Sequence, residues 1–210
     1  MNYKVIRTKR KTLAISIVDG KVIVRAPIFL TDDIIHDFVS SKKDWIQKKQ
    51  AAYRPVGIDL KEKVIRYFGK DLSLVMIKGS QFKISMEEQM VVHYPTTMSE
   101  AQCIKRIEEY LKDQLYAIIF DYVAVYAKLL KIKTPPFKIR RYKRIHGRCN
   151  SRGELAFNLY LFHESKAFIR YVVLHECAHI LEFNHSRKFY QIIEKYMPDY
   201  KQIIAKQKEP

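Results

Sequence analysis

The run from Ala167 to Leu181, AFIRYVVLHECAHIL, is apolar nearly all round, the pattern of a helix enclosed in a core rather than laid on a surface. It is interrupted by His175-Glu176-Cys177-Ala178-His179. An enclosed helix makes unpartnered His and Glu expensive, so the surrounding fold must give these groups something to bind. Residues four apart on a helix lie about 40° from each other around the axis, so His175 and His179 can reach one metal ion. Glu176 projects from the flank of that face, where it can hold a water on the metal without taking a coordination position. With His185 the pattern becomes HExxHxxxxxH, the spacing of a metal-dependent protease helix. Ser165 suits the N-cap, and Asn184 is expected to take the left-handed conformation that ends the helix and swings His185 round to the metal. A set of satisfied core histidines is the plainer alternative.

The 210 residues, 48% of them hydrophobic, suffice for a genuine core, in one compact domain or a small domain joined to a catalytic one. Met1 to Arg7 has no apolar stretch of secretory length. The longest apolar run, Tyr116 to Ala127, is broken by Asp121 and is too short to span a bilayer. A soluble cytoplasmic protein is expected, with no membrane partner. Cys103, Cys149 and Cys177 are widely spaced and form no CxxC, which argues against a disulfide framework or a zinc knuckle. Cys177 reads as a small buried residue pointing away from the two histidines. A thiol hydrolase built on Cys149 and His146 is a weak rival.

Lys and Arg number 39 against 22 Asp and Glu, a formal charge of +17 that favours polyanions or acidic substrates. Lys138, Arg140, Arg141, Lys143, Arg144, Arg148 and Arg152 crowd into the stretch before the metal helix, with Tyr142 and His146 among them. Basic residues interleaved with rings can grip phosphates and stack on bases; a solvated basic face is the commoner outcome.

Leu13 to Val24 alternates apolar and polar around Asp19-Gly20 and predicts a type I′ hairpin. Thr31-Asp-Asp opens a helix to about Ala52 whose stripe is Ile34, Ile35, Phe38, Trp45 and Ile46, with Trp45 in the core. Pro55 and Gly57 break it, and Val64–Val75 and Phe82–Tyr94 read as strands with turns at Gly69-Lys-Asp and Lys78-Gly-Ser. The expected boundary lies near Pro95: a β-rich N-terminal region over 1–97 and a catalytic region over 98–210. Ser99 and Glu100 start a packing helix to about Lys131, with the face Ile104, Ile107, Leu111, Leu115, Ile118, Ile119, Tyr122, Val125 and Leu129. A strand from Phe137, a turn over His146–Gly153 and a strand over Leu155–Leu161 lead into the metal helix. The architecture this implies is α+β, a small zincin-like metalloprotease domain whose sheet edge lies over the metal and can hold an extended peptide. After His185, Phe189, Ile192, Ile193 and Tyr196 mark one more helix that Pro198 ends, and the charged tail to Pro210 is expected to fray.

Gly147-Arg-Cys-Asn-Ser-Arg-Gly153, Asn158, Tyr171–His179, Glu182, Asn184-His-Ser186 and Tyr196-Met-Pro-Asp-Tyr200 together resemble the YgjP-like metallopeptidase family, related to the SprT and WLM groups. The likeness covers most of the chain, including the N-terminal hairpin, Ala26-Pro27 and Trp45-Ile46, and is strongest over 137–200. It implies one zinc ion on His175, His179 and His185, with Glu176 as catalytic acid/base. Where the family usually has Trp-Gly-Ser-Cys this chain has His146-Gly147-Arg148-Cys149, a change that leaves the zinc ligands intact and alters the turn beside them. The related groups include proteases of DNA-bound proteins, which suits the basic turn.

Three imidazoles would leave one tetrahedral position for water, whose proton Glu176 would take as a carbonyl is attacked. For the third ligand Glu194 and Asp199 are rivals to His185, which the spacing favours; Glu182 reads as supporting or solvated. An oxyanion or substrate contact can come from His146, Arg148, Tyr190, Tyr196 or Tyr200, and anion binding from Arg140, Arg141, Lys143, Arg144 and Arg152. A zinc peptidase acting on proteins at nucleic acid explains motif and charge together. A zinc hydrolase of a small anion such as a nucleoside triphosphate, and a binding module with structural zinc, stay open, as do Mn, Co and Ni as the native metal.

Overall fold

A computed structural model describes residues 2–18, 21–51, 57–60 and 62–208. The chain divides into two compact units, Met1–Val56 and Gly57–Glu209. In the first, β1 (Tyr3–Thr8), β2 (Ala14–Val18) and β3 (Lys21–Pro27) form a sheet in the order β1-β3-β2. β2 and β3 are the expected antiparallel pair, although the Asp19-Gly20 turn lies outside the described residues. β1, which the sequence did not announce, pairs parallel with β3. Val22, Val24 and Ala26 share one face of β3 and form a core with Ile35, Val39 and Ile46.

The expected single helix is two, α1 (Asp32–Ser41) and α2 (Lys43–Ala51), broken at Lys42, whose N–H donates to the Val39 carbonyl. The stripe is Ile35-Val39-Ile46, four and then seven residues apart, so Ile34 and Trp45 fall one step of about 100° outside it. Trp45 is 45% exposed and is not core. The expected end of α2 near Ala52 and the break at Pro55 lie outside the described residues.

In the second unit β4 (Ile58–Asp59), β5 (Val64–Tyr67), β6 (Lys70–Gly79), β7 (Lys83–Met86) and β8 (Met90–Pro95) make a sheet in the order β4-β5-β6-β8-β7. The β5–β6 turn is Phe68-Gly69, both with positive φ, one residue earlier than expected. Its tip donates from the Phe68 and Gly69 N–H groups to the Phe162 and His163 carbonyls, which anchors the turn against the chain that leads into the metal helix. The helix α3 (Glu100–Leu130) begins at a capping box between Ser99 and Gln102 and ends with Lys131 in the left-handed conformation. Its buried residues step by four from Cys103 to Val123, a stripe that winds round the helix, so the last turns bury Tyr126 and Leu130 and expose Val125 and Leu129. Leu74, Met90 and Val92 of the sheet share one core with Ile107 and Leu111 of α3 and Phe157 and Val173 beyond it. A boundary near Pro95 would cut that core, and packing places the division at Val56 instead.

Past α3, β9 (Phe137–Arg140), β10 (Gly147–Cys149) and β11 (Leu155–Asn158) form a second sheet in the order β10-β11-β9. The expected turn over His146–Gly153 therefore contains a strand, β10, antiparallel to β11 and at the sheet's edge. Leu159–Leu161, expected as the end of that strand, lie instead in a 3-10 turn, Leu159–His163, that Asn158 caps. The helices α4 (Lys166–Ala178), α5 (Arg187–Tyr196) and α6 (Tyr200–Lys208) complete the unit, so the tail is helical where fraying was expected. Tyr200 anchors α6, buried in the common core. The architecture is α+β. Among the described residues no helix is long and apolar enough to cross a membrane.

Candidate metal centre

α4 starts where the Ser165 hydroxyl accepts from the Phe168 N–H, and its buried residues Phe168, Ile169, Val172 and Val173 fix it in the core. Arg170 Nε donates to the Tyr126 hydroxyl at 2.8 Å and ties α4 to α3. That leaves His175 on the face that looks towards the start of α5. The helix ends at Ala178, with His179 as its cap residue still in helical conformation, and Leu181 and Glu182 N–H groups both donate to the Ala178 carbonyl. Asn184 is not left-handed as expected; its side-chain oxygen accepts from the Ser186 N–H, and the Ser186 hydroxyl caps α5. This pair of local side-chain bonds, rather than a backbone inversion, delivers His185.

The three imidazoles converge. His175 Nε2 lies 3.2 Å from His179 Nε2 and 3.0 Å from His185 Nε2, and one ligand atom from each lies within 4.8 Å of the others. Phe189, fully buried on α5, sets its ring 4.6 to 4.9 Å from all three and forms the floor beneath them. The outer nitrogens are held from behind. His175 Nδ1 is 3.3 Å from the Tyr171 hydroxyl, and His179 Nδ1 is 3.2 Å from the Glu182 carbonyl, which can only accept. His179 therefore carries its proton on Nδ1 and turns a lone pair inward on Nε2.

Burial, and then repulsion from His179 and His185, pushes the His175 imidazole down to about 4, and burial lowers His179 as well. His175 and His179 are thus held neutral near pH 7. Three imidazole nitrogens gathered 3.0 and 3.2 Å from one another form a donor set that can close on one cation. Bonds of about 2.0–2.1 Å to a tetrahedral zinc would set such nitrogens about 3.3 Å apart, so donor type and spacing both fit that ion. Of the rival carboxylates, Glu194 is paired with Lys201 at 3.2 Å, and neither it nor Asp199 joins the histidine cluster.

Glu176 is 6% exposed, and burial pushes its carboxyl up to about 7 against the opposing pull of a hydrogen bond from the Cys149 backbone. It packs against the edge strand: a Cβ built on Gly147 would stand 2.6 Å from Glu176 Oε1. Side chains alternate along a strand, so Gly147 and Cys149 face α4 while Arg148 faces the opposite side of the sheet. Arg148 is therefore not an oxyanion contact on the Glu176 side. Tyr196 donates its hydroxyl to the Leu129 carbonyl at 2.9 Å and is also committed elsewhere. His146 sets its ring edge-on to Phe168, 5.1 Å between centroids. Tyr200 is buried and stacks between Tyr171 and Tyr190. Tyr190, 38% exposed with its ring 6.3 Å from that of His185, is the tyrosine of the set that combines access with proximity.

Of the expected anion-binding residues, Arg141 forms an ion pair with Glu108, and Arg140 joins Arg148 on the sheet's outer face. Lys143, Arg144 and Arg152 are exposed and belong to neither group. Phe189 and Tyr171 are site residues that motif reading passed over; the only signals were Phe189 in the apolar stripe after His185 and Tyr171 one turn before His175. Cys177 is buried, and burial pushes its thiol up to about 12, which keeps it a neutral packing group.

A search of curated proteins finds no match to this chain. A family model, YgjP-like, metallopeptidase domain, matches residues 11–209, a span that includes every residue of the metal centre. The chain belongs to the YgjP-like metallopeptidase family.

Proposed function

We propose that this protein is a zinc peptidase in which His175, His179 and His185 hold the ion, Glu176 moves the proton, and the substrate lies extended along β10. The observation that carries this reading is the convergence of three imidazoles beside a buried carboxyl that burial pushes up to about 7. Zinc on three imidazoles supplies a water whose pKa falls towards about 7 and polarises a carbonyl oxygen. Glu176, poised near neutrality, takes a proton at its carboxylate as the carbonyl is attacked and returns it to the departing amine. Gly147 lets the carboxylate approach the strand closely.

β10 pairs with β11 on one side, and no described strand pairs with its other side, so its backbone can bind an extended peptide by strand addition. Tyr190, beside His185, is the side chain we assign to substrate contact. A peptide is favoured over a small anion because Lys138, Arg140 and Arg148, which would hold phosphates, are grouped on the sheet face opposite Glu176.

The test is incubation of the zinc-loaded protein and its Glu176→Gln variant with an unfolded protein and, separately, with nucleoside triphosphates. Cleavage of the polypeptide that disappears in a variant retaining its zinc is the expected result. Phosphate release from the nucleotides without polypeptide cleavage would contradict it.

A further inference from the structure

The outer face of the β10-β11-β9 sheet carries a cleft of about 190 Å³ lined by Lys138, Arg140, Tyr142, Arg148, Asn150, Glu154, Leu155 and Ala156. Strand register explains its form. Arg148, Ala156 and Lys138 are direct partners across the three strands, so two cations flank a small residue, and Arg140 lies two residues on from Lys138 on the same face. Neighbouring strands run about 4.8 Å apart, so the flanking cations start roughly 10 Å from each other with Ala156 as a low floor between them.

Positive charge is in excess here. Among the described residues Lys138, Arg140 and Arg148 take part in no ion pair, in contrast to Arg141, which pairs with Glu108 next door. The carboxylate that lines the cleft, Glu154, accepts from Asn150 Nδ2 at 2.8 Å, and its one negative charge offsets only part of the three cations. Like charges gathered over a concave floor raise the local potential and attract anions.

Tyr142 stands beside the cations, and its backbone is held in place. Asn158, 6% exposed, accepts from the Tyr142 N–H at 3.2 Å and donates to the Tyr142 and Ile145 carbonyls at 3.0 and 2.8 Å. One buried amide therefore fixes the loop that carries Tyr142 into the cleft wall. A ring on an anchored backbone next to a row of cations is the combination that grips a phosphate backbone and stacks an unpaired base.

We propose that this cleft is a docking site for single-stranded nucleic acid, with Lys138, Arg140 and Arg148 on phosphates and Tyr142 stacked on a base. The narrowness of the cleft and the presence of the ring favour a single strand over a duplex, whose bases are paired and out of reach of Tyr142. Docking there needs nothing from the metal centre, which uses the opposite face of β10.

The test is fluorescence anisotropy of the full chain with a labelled oligothymidylate of about twenty nucleotides, titrated from about 50 to about 200 mM salt. Three phosphate contacts predict that log Kd rises with log salt at a slope of about 2. In the double variant Lys138→Gln, Arg148→Gln the slope falls below about 1 and binding at low salt weakens by roughly tenfold or more. Tyr142→Ala weakens binding by about tenfold with the slope unchanged, and Tyr142→Phe restores it. The control is Lys48→Gln, Lys49→Gln in α2, which removes the same charge from exposed positions and leaves binding near that of the parent. Equal loss in the control and the cleft variants would overturn the proposal, because binding would then follow net charge. Tighter binding to the matching duplex with no effect of Tyr142→Ala would overturn the single-strand assignment. Cleft-dependent binding to vesicles of phosphatidylserine and phosphatidylcholine in equal parts, with none to the oligonucleotide, would assign the face to a membrane surface.

Discussion

Replacing Gly147 by alanine tests whether the close approach of β10 to Glu176 is part of the catalytic arrangement. The added Cβ would meet Glu176 Oε1 at 2.6 Å, Cγ at 2.7 Å and Cδ at 2.9 Å, whereas ordinary contact begins near 3.4 Å. The carboxylate or the strand must therefore retreat by about 0.8 Å. Glu176 is enclosed, so it has no solvent-filled space in which to swing aside, and β10 is pinned to β11 across its whole length. A displacement approaching 1 Å between catalytic group and substrate costs on the order of 10²-fold in rate, or about 2.7 kcal/mol of transition-state stabilisation. Overpacking adds about 1–3 kcal/mol of lost stability. The assay is kcat/KM on an unfolded polypeptide, with the thermal midpoint and zinc content of the same preparation. The expected variant is folded, zinc-loaded and about a hundredfold slower. A folded variant within a few-fold of the parent would refute the reasoning that Glu176 acts from its place against Gly147.

Two further perturbations probe the supports of the site and the core behind it. Tyr171→Phe removes the hydroxyl on His175 Nδ1, and metal affinity measured by chelator competition should fall by about 10- to 100-fold; an unchanged affinity would mean that the contact does not orient the ligand. His163 is buried, its Nε2 has no hydrogen-bond partner among the described residues, and burial, helped by Arg66, pushes it from 6.5 down to about 4. The native state therefore binds fewer protons than the unfolded chain between these values, and stability falls as pH drops from 6.5 towards 4, by at most about 3 kcal/mol. Denaturant titrations of the parent and of His163→Phe across that range should show the steeper loss in the parent, because His175 and His179 contribute a loss of the same sign to both; parallel pH profiles would remove His163 as a cause.

Much of the metal centre was legible in the sequence because its information is local. The spacing of His175 and His179 and the flanking Glu176 are consequences of helix geometry, and His185 follows after a short reach of chain. The apolar surroundings of that motif also identified α4 as an enclosed helix, as its buried residues confirm. What escaped was set by contacts distant in sequence. Nothing near Gly147 says that a carboxylate twenty-nine positions on will lie against it, and nothing in the stripe of α5 says that Phe189 will floor a metal site rather than an ordinary core.

The errors have the same origin. The boundary near Pro95 followed a change of local pattern from strand to helix, while the real core joins Leu74 and Met90 to Ile107. Asn184 was given a backbone role because Asn tolerates the left-handed region, yet it acts through its side chain on Ser186. Arg148 was placed near the metal for its proximity in sequence. The pleat of a three-residue strand hidden in an apparent turn sends it to the other face.

The proposed chemistry depends on one ion held by three imidazoles, with a position open to water beside Glu176. X-ray absorption at the zinc edge of the zinc-loaded protein reads that coordination. Three nitrogen neighbours at about 2.0–2.1 Å and one oxygen at a similar distance are expected. A sulfur neighbour at about 2.3 Å, from Cys149 or Cys177, would contradict it, because a thiolate in the fourth position would close the site to water.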